Sequence, residues 1–171
     1  MDCAGLLEDA FGRVHEAVHE AVEGLDEEAL AAAPGPGANP IAWLVWHLTR
    51  IQDDHVADVA GREQLWTAQG WANRLDLPLP HTDTGYGHTP DRVAAVRAGA
   101  RELLGYHDAV HTATLEYVRT LGPGDLDRVV DASWTPAVTL GVRLVSVVAD
   151  DLQHAGQAAY ARGLLERGTR T

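Results

Sequence analysis

Apolar residues recur at intervals of three and four positions in four long segments of the chain, which is the spacing of one buried helix face. The segments span residues 6–25, 40–59, 89–121 and about 139–166. None of them shows the alternating pattern of a strand, and no internal repeat divides the chain. The pattern predicts an all-α fold in which four helices pack as a bundle.

Pro and Gly separate these helices. "PGPGANP" follows the first helix, and it predicts Asn39 as the N-cap of the second helix with Pro40 at its first position. Thr89 and Pro90 start the third helix in the same way. Residues 61–88 show no periodicity, so a long irregular connection is expected between helices two and three, of a kind that is usually functional or mobile.

Length and composition exclude several classes of protein. A chain of 171 residues is long enough for one domain, predicted as residues 1–171, and too short for two comfortable ones. The net charge of −12 argues against nucleic acid and against an anionic membrane surface as partners. Apolar stretches are too short or too charged to span a bilayer, and the acidic N-terminus is unlike a signal peptide. With a single cysteine, Cys3, there is no internal disulfide, and a cytoplasmic location is expected.

The stretch "VVADDLQHAGQAAY", residues 147–160, places Asp150, Asp151 and His154 on an otherwise apolar helix, where burial costs free energy unless it is compensated. On helix two, His47 lies near the inner face, and His55 two turns later is its rival. His47, one acid and His154 would offer two imidazoles and a carboxylate, which suits Zn²⁺, Ni²⁺ or Fe²⁺. Spacing alone does not choose between the two acids. A surface pair worth a few tenths of a kcal/mol is the other interpretation.

The remaining histidines favour structural roles. The i, i+4 pair His15 and His19 lies among glutamates, which favours a solvated polar face over a metal site. His107 and His111 share that spacing nearer an apolar stripe, so core or boundary positions are favoured, and a role in lining a pocket stays open. In the irregular connection, His81 and His88 could contact a substrate, although a position at the surface is favoured for both.

The residues "WHL" at 46–48 and "HAGQ" at 154–157 resemble the DinB superfamily of four-helix bundles, especially its thiol-dependent branch of mycothiol and bacillithiol transferases. "NPIAWLVWHL" and "WTPAVTLGVRLVSVVADDLQHAGQAAYARG" are similar to the actinobacterial mycothiol transferases. The resemblance implies that His47, Asp150 and His154 are the metal ligands, with Asp151 a neighbour at the helix edge. Many relatives carry His where this chain has Asp150.

The resemblance further implies a divalent metal, zinc first and nickel or iron next, with mycothiol as the co-substrate. The implied activity is a metal-dependent thiol S-transferase that conjugates mycothiol to electrophiles. In this function Gln157 would orient a ligand or contact the substrate. A non-catalytic bundle with a stress-related or ligand-binding role and a mycothiol-dependent isomerase are the alternatives. Relatives of this fold often pair, so a homodimer is a further expectation.

Larger side chains outside the triad have two interpretations each. Trp66 and Trp71 could cover the mouth of the bundle and contact an apolar electrophile, although packing of the connection explains them equally well. Arg50, Arg143 and Arg162 could contact polar groups of the thiol, but surface solvation is favoured for each.

Overall fold

The protein is a helical bundle, as the sequence predicts. The structure is a computed structural model that describes residues 1–168. The helices are α1 (Cys3–Val22), α2 (Glu27–Ala31), α3 (Ile41–Ala60), α4 (Leu65–Ala68), α5 (Trp71–Leu75), α6 (Pro90–Ala94), α7 (Ala100–Val118) and α8 (Leu140–Gly168). A 3₁₀ helix (Pro123–Asp127) and an antiparallel pair of short strands, β1 (Val129–Asp131) and β2 (Val138–Thr139), connect α7 to α8. This small hairpin does not change the all-α class.

The four long helices form a ring in the order α1, α8, α3, α7, because α1 and α3 each pack against both α7 and α8. Helix α3 is the most enclosed of them, and every residue from Ile41 to Arg50 is buried. Polar side chains on α3 must therefore find their partners inside the protein. Several of these partners come from the connection that packs against α3.

The hydrophobic core has two clusters. The larger cluster contains the tryptophans of α3 and α4, and it is closed on the side of α8 by small residues that let the helix approach closely: Ala155, Ala158 and Ala161. The smaller cluster joins Phe11 of α1 to Leu144 of α8. Each fully buried side chain of this size contributes about 1.5–3 kcal/mol to folding.

The prediction of one continuous third helix over residues 89–121 is wrong. Helix α6 ends at Ala94, and α7 begins only at Ala100, with Gly99 as an extended N-cap. Between them, Val96 and Ala98 are buried in the larger cluster. Their burial offsets the backbone hydrogen bonds that a continuous helix would form. The cap at Thr89 with Pro90 at the first helical position is as predicted.

The start of the second helix also differs by one residue. Helix α3 begins at Ile41 with Pro40 as its N-cap, so Asn39 does not cap it. The end of the fourth helix is as predicted, since α8 continues past Glu166 to Gly168. Residues 169–171 of the predicted domain lie outside the described part of the chain. Within residues 1–168, no helix has the length and apolar character needed to cross a membrane.

A buried carboxylate fixes the connection between α3 and α6. Asp53 on α3 is fully buried and accepts hydrogen bonds from the backbone N–H groups of Leu65 (3.0 Å) and Trp66 (2.8 Å) at the start of α4. It also accepts the hydroxyl of Tyr106 on α7 at 2.9 Å. The connection is therefore ordered against the bundle, and it contains α4 and α5 rather than irregular chain alone.

A buried His–Thr pair joins α7 to α3. The Nδ1 atom of His107 lies 3.1 Å from the hydroxyl oxygen of Thr49, and that hydroxyl donates its own hydrogen to the Val45 carbonyl. The imidazole must therefore donate from Nδ1. Burial, reinforced by the nearby imidazoles of His15 and His111, lowers the pKa of His107 to about 3. The expected core position of His107 is confirmed.

We expect His107→Gln to make the fold less sensitive to acid. The folded pKa of His107 is about 3 and its ordinary value is 6.5, so below pH 6.5 the unfolded chain binds a proton that the folded protein does not. The stability that neutral His107 contributes is complete above pH 6.5. Between pH 6.5 and about pH 3, the free energy of unfolding falls by about 1.4 kcal/mol for each pH unit. Urea unfolding between pH 7.5 and pH 5 should give a shallower pH dependence for His107→Gln than for the wild type. The exposed His81→Gln is the control, and identical pH dependences for His107→Gln and wild type would contradict the expectation.

Candidate metal centre

His47 lies on the buried face of α3 with one nitrogen already occupied. Its ring stacks on Trp43, with ring centroids 4.7 Å apart and planes at 15°. Its Nδ1 makes a short hydrogen bond to the backbone carbonyl of Thr84. Because a carbonyl only accepts, Nδ1 carries the hydrogen and Nε2 keeps its lone pair. Burial lowers the pKa of His47, more than the Thr84 hydrogen bond raises it, and so favours the neutral imidazole that binds metals.

The close approach of residues 84–85 to His47 requires glycine at position 85. Gly85 has a φ of +94°, and a Cβ atom there would lie 2.6 Å from His47 Nδ1 and 3.1 Å from the Trp46 ring. Any other side chain would have to displace the imidazole or the loop. Sequence reasoning missed Thr84 and Gly85, although the two glycines of "TGYGH" are a signal of a tight turn.

The same loop is anchored to α3 by a second histidine. The indole N–H of Trp43 donates to His88 Nδ1 at 3.1 Å, so His88 donates from Nε2 to Asp83 at 2.9 Å. Asp83 in turn accepts the backbone N–H of Gly85 at 3.0 Å. The prediction that His88 lies at the surface is wrong, since its side chain is 1% exposed. It supports the turn that orients His47.

Helix α8 brings two further donors to His47. Asp150 and His154 are one turn apart, with Oδ1 of the acid 3.7 Å from Nε2 of the imidazole. The rings of His154 and His47 are 4.8 Å apart and nearly perpendicular at 76°. One ligand atom from each of these three residues lies within 4.8 Å of the other two. The structure thus brings the predicted triad of His47, Asp150 and His154 together.

Gln157 lies one turn beyond His154 and contacts it. Its side-chain oxygen is 3.2 Å from His154 Nδ1, which places it to accept the hydrogen of that nitrogen and leave Nε2 for a ligand. The predicted role in orienting a ligand therefore has a contact behind it, while binding of a co-substrate by Gln157 stays a prediction. Gln157 is itself exposed.

Asp151 is not the edge neighbour that was expected. It is fully buried in the stripe of α8 formed with Leu144, Val147, Ala155 and Ala158. Among the described residues, neither of its carboxylate oxygens has a hydrogen-bond partner. Burial first, and then the adjacent Asp150, raise its pKa well above the usual value. Asp151 is therefore held toward its neutral form inside the core and is not part of the triad.

His55, the rival of His47, lies to one side of the triad. Its Nδ1 is 2.7 Å from the guanidinium of Arg143, which leaves Nδ1 as the acceptor. Burial and then Arg143 lower its pKa. The same guanidinium is 3.5 Å from Asp131 in β1. His55 is thus tied to the hairpin side of α8 and is not part of the ligand set.

An open cleft of about 540 Å³ lies beside the triad. His47 and Asp150 line it together with His55 and Arg143. Two aromatic side chains that sequence reasoning did not single out also line this cleft and are largely exposed: Tyr86 (91%) and Trp134 (67%). Polar and apolar groups therefore meet next to the candidate ligands.

The structure gives different outcomes for the two interpretations of Arg50, Arg162 and the tryptophans of the connection. Surface solvation is wrong for Arg50, which is 1% exposed and donates to Gln64 at 2.8 Å. Arg162 donates to two backbone carbonyls at the end of α1, each at 2.8 Å. Packing is the role of Trp66, whose buried ring lies 5.2 Å from that of Tyr106. Trp71 packs against Tyr106 at 5.8 Å.

The histidines of α1 and α7 also depart from the prediction. His15 and His19 do not form a solvated face, because both are partly buried between the two helices and contact Asp108 of α7. His111 is partly buried beside them, as a boundary position predicts. His81 is exposed, as expected.

The chain belongs to the DinB superfamily, whose family model matches residues 10–158. A solved structure described as a conserved protein from Enterococcus faecalis is similar, with a TM-score of 0.90 and 32% sequence identity over 96% of this chain and 98% of that one. A search of curated proteins gives no match. All three residues of the triad lie within the matched region, and the resemblance found in the sequence is confirmed at the level of the superfamily.

We expect Gly85→Ala to weaken metal binding by about 10- to 100-fold, the usual cost of disturbing a group that orients a metal ligand. The added methyl would occupy the position 2.6 Å from His47 Nδ1 and separate that nitrogen from the Thr84 carbonyl. The matched control is Gly87→Ala, because Gly87 also has a positive φ, +70°, but has no atom within 4 Å of an added Cβ. Competition with a chromogenic chelator measures both affinities for Zn²⁺. Equal affinities in the two variants would show that contact with His47 does not matter.

Proposed function

We propose that the protein is a metal-dependent thiol S-transferase and that His47, Asp150 and His154 hold a divalent ion, zinc in the first place. The observation that carries the proposal is the convergence of these three side chains from two helices beside an open cleft. Superfamily membership supports it. Mycothiol is the co-substrate that the longer sequence resemblance favours, and conjugation to electrophiles is the reaction.

The donor set fits the metal. Two imidazoles and one carboxylate are typical ligands of zinc in catalytic sites, where further positions stay open to water or substrate. His47 keeps Nε2 free because Thr84 occupies Nδ1. The Oδ2 atom of Asp150 is buried and has no hydrogen-bond partner among the described residues, and a cation would compensate it.

A bound divalent ion would lower the pKa of a coordinating thiol, so that the nucleophilic thiolate forms near neutral pH. The chain's own residues orient and enclose that site. Thr84 fixes the imidazole of His47, Gln157 contacts His154, and the carboxylate of Asp150 brings negative charge to the ligand set. No protein thiol is required, which agrees with Cys3 being the only cysteine and lying at the start of α1.

The cleft suits a polar thiol and an apolar electrophile together. His55, Arg143 and Asp131 offer hydrogen-bonding groups on one side, which match the hydroxyl groups of a sugar-containing thiol. Tyr86 and Trp134 offer aromatic surface that can pack against an apolar partner. Because His47 and Asp150 line the same cleft, both molecules would lie next to the candidate ligands.

We expect purified, untagged protein to contain zinc and to accelerate the reaction of mycothiol with the fluorogenic electrophile monochlorobimane. His154→Ala should lose most of the activity and the zinc that this triad holds, because it removes a ligand whose side chain is only 17% exposed. Elemental analysis and the fluorescence rate measure the two effects. Glutathione, bacillithiol and cysteine in the same assay test the preference for mycothiol.

His81→Gln is the control for this experiment, since its side chain is exposed and lies outside the triad. Metal without any thiol-consuming activity would favour a ligand-binding bundle. Isomerisation of maleylpyruvate in the presence of mycothiol, without conjugation, would favour the isomerase. Wild-type metal content and activity in His154→Ala would rule out the proposed site.

A further inference from the structure

A second group of candidate ligands lies across the bundle from the triad, between α1 and α7. His15 and His19, one turn apart on α1, both direct Nε2 to the same oxygen of Asp108 on α7, at 2.8 and 2.7 Å. One ligand atom from each of the three residues lies within 4.8 Å of the other two. All three side chains are partly exposed, at 30%, 25% and 48%, so an ion could reach them from solvent.

The orientation of His19 is set by a second carboxylate. Glu23, which directly follows the last residue of α1, accepts from His19 Nδ1 at 2.9 Å. Metal-binding histidines commonly make this contact, in which a carboxylate holds one ring nitrogen and leaves the other directed at the ion. Glu23 holds one ring nitrogen of His19 in this way, and the other nitrogen is directed at Asp108. A histidine on an ordinary helix surface would not need this contact.

Two further imidazoles stand beside His15 with unpaired nitrogens. The ring of His111 lies 4.4 Å and that of His107 lies 5.7 Å from the ring of His15. His107 is 0% exposed, and because its Nδ1 is bonded to Thr49, its Nε2 carries a buried lone pair without a partner among the described residues. The Nδ1 atom of His111 is buried and unpartnered in the same way. Unpaired buried nitrogens of this kind are costly unless a cation or donor compensates them.

We propose that His15, His19 and Asp108 form a second divalent transition-metal site, separate from the triad of His47, Asp150 and His154. Two imidazole nitrogens and a carboxylate select zinc-like ions over Mg²⁺ and Ca²⁺, which prefer oxygen ligands throughout. His111 is the nearest additional imidazole. The bound ion would join α1 to α7.

The distances from Nε2 of His15 and His19 to Asp108 are those of hydrogen bonds, and they are close to the separation of two ligand atoms on one metal ion. Ligand atoms around a tetrahedral zinc lie about 3.3 Å apart, as zinc–ligand distances of about 2.0–2.1 Å require. A change of roughly half an ångström from the observed 2.8 and 2.7 Å would open the site. An ion in that position would replace the hydrogens that Asp108 now shares with both imidazoles. Since it binds only the folded arrangement, it would raise the thermal stability of the bundle.

The test uses untagged, chelator-treated protein from which the first site has been removed by Asp150→Asn together with His154→Gln. Calorimetric titration with Zn²⁺ should still give one equivalent per chain, and Zn²⁺ should still raise the melting temperature. Adding His15→Gln and His19→Gln should abolish both effects, whereas adding the exposed His81→Gln should change neither. Co²⁺ in place of Zn²⁺ should give visible absorption bands that disappear with the same substitutions.

Circular dichroism establishes that each variant is folded. Asp108→Asn provides a second route that leaves both helices' packing residues intact, and it should weaken Zn²⁺ binding at least tenfold. Saturable binding that survives the loss of His15 and His19, or an affinity unchanged by Asp108→Asn, overturns the proposal. A folded Asp150→Asn/His154→Gln variant without stoichiometric Zn²⁺ binding overturns it as well. Because the first site is absent from this variant, the result does not depend on the proposed transferase activity.

Discussion

The arrangement of the candidate metal centre depends on the hydrogen bonds of one buried carboxylate, that of Asp53. A charge in a fully buried position is stable only with several compensating partners. Asp53 has backbone N–H groups from α4, the hydroxyl of Tyr106 from α7 and two nearby guanidinium groups, those of Arg50 at 3.9 Å and Arg62 at 3.6 Å. It therefore joins α3, α4 and α7, and removing it would leave several buried donors unpaired at once.

The candidate ligand His47 owes its orientation to the same connection. The guanidinium of Arg50 donates to Gln64 at the start of the connection and to the carbonyl of Asp83 near its end, so both ends are held against α3. Asp83 in turn positions Gly85, and the neighbouring Thr84 carbonyl orients His47. His47, on the most enclosed helix, is thus oriented by a loop that Arg50, about one turn further along α3, holds in place.

Local patterns were sufficient for three of the four long helices, whereas the choice of Asp150 over Asp151 for the triad came from the family resemblance. The apolar spacing predicts α1, α3 and α8 to within three residues at each end, because that signal lies in neighbouring residues. The break before α7 could not be read in this way, since it depends on Val96 and Ala98 finding space in a core made by other segments. His15 and His19 show the same limit: a helix pattern indicates which face is polar, but not that α7 presents Asp108 to it. Asp151 is a different case, because its spacing from Val147 and Ala155 already marks the buried stripe.

The two candidate ligand sets occupy opposite edges of the four-helix ring. His47, Asp150 and His154 join α3 to α8, and His15, His19 and Asp108 join α1 to α7. No residue is shared between the sets, and effects at separate sites without shared partners usually add. Their surroundings differ in one respect that bears on function: the α3–α8 set borders a cleft with aromatic side chains, whereas the α1–α7 set is backed by the histidines His107 and His111. The first arrangement suits an ion that exchanges ligands with a substrate, and the second suits an ion that holds two helices together.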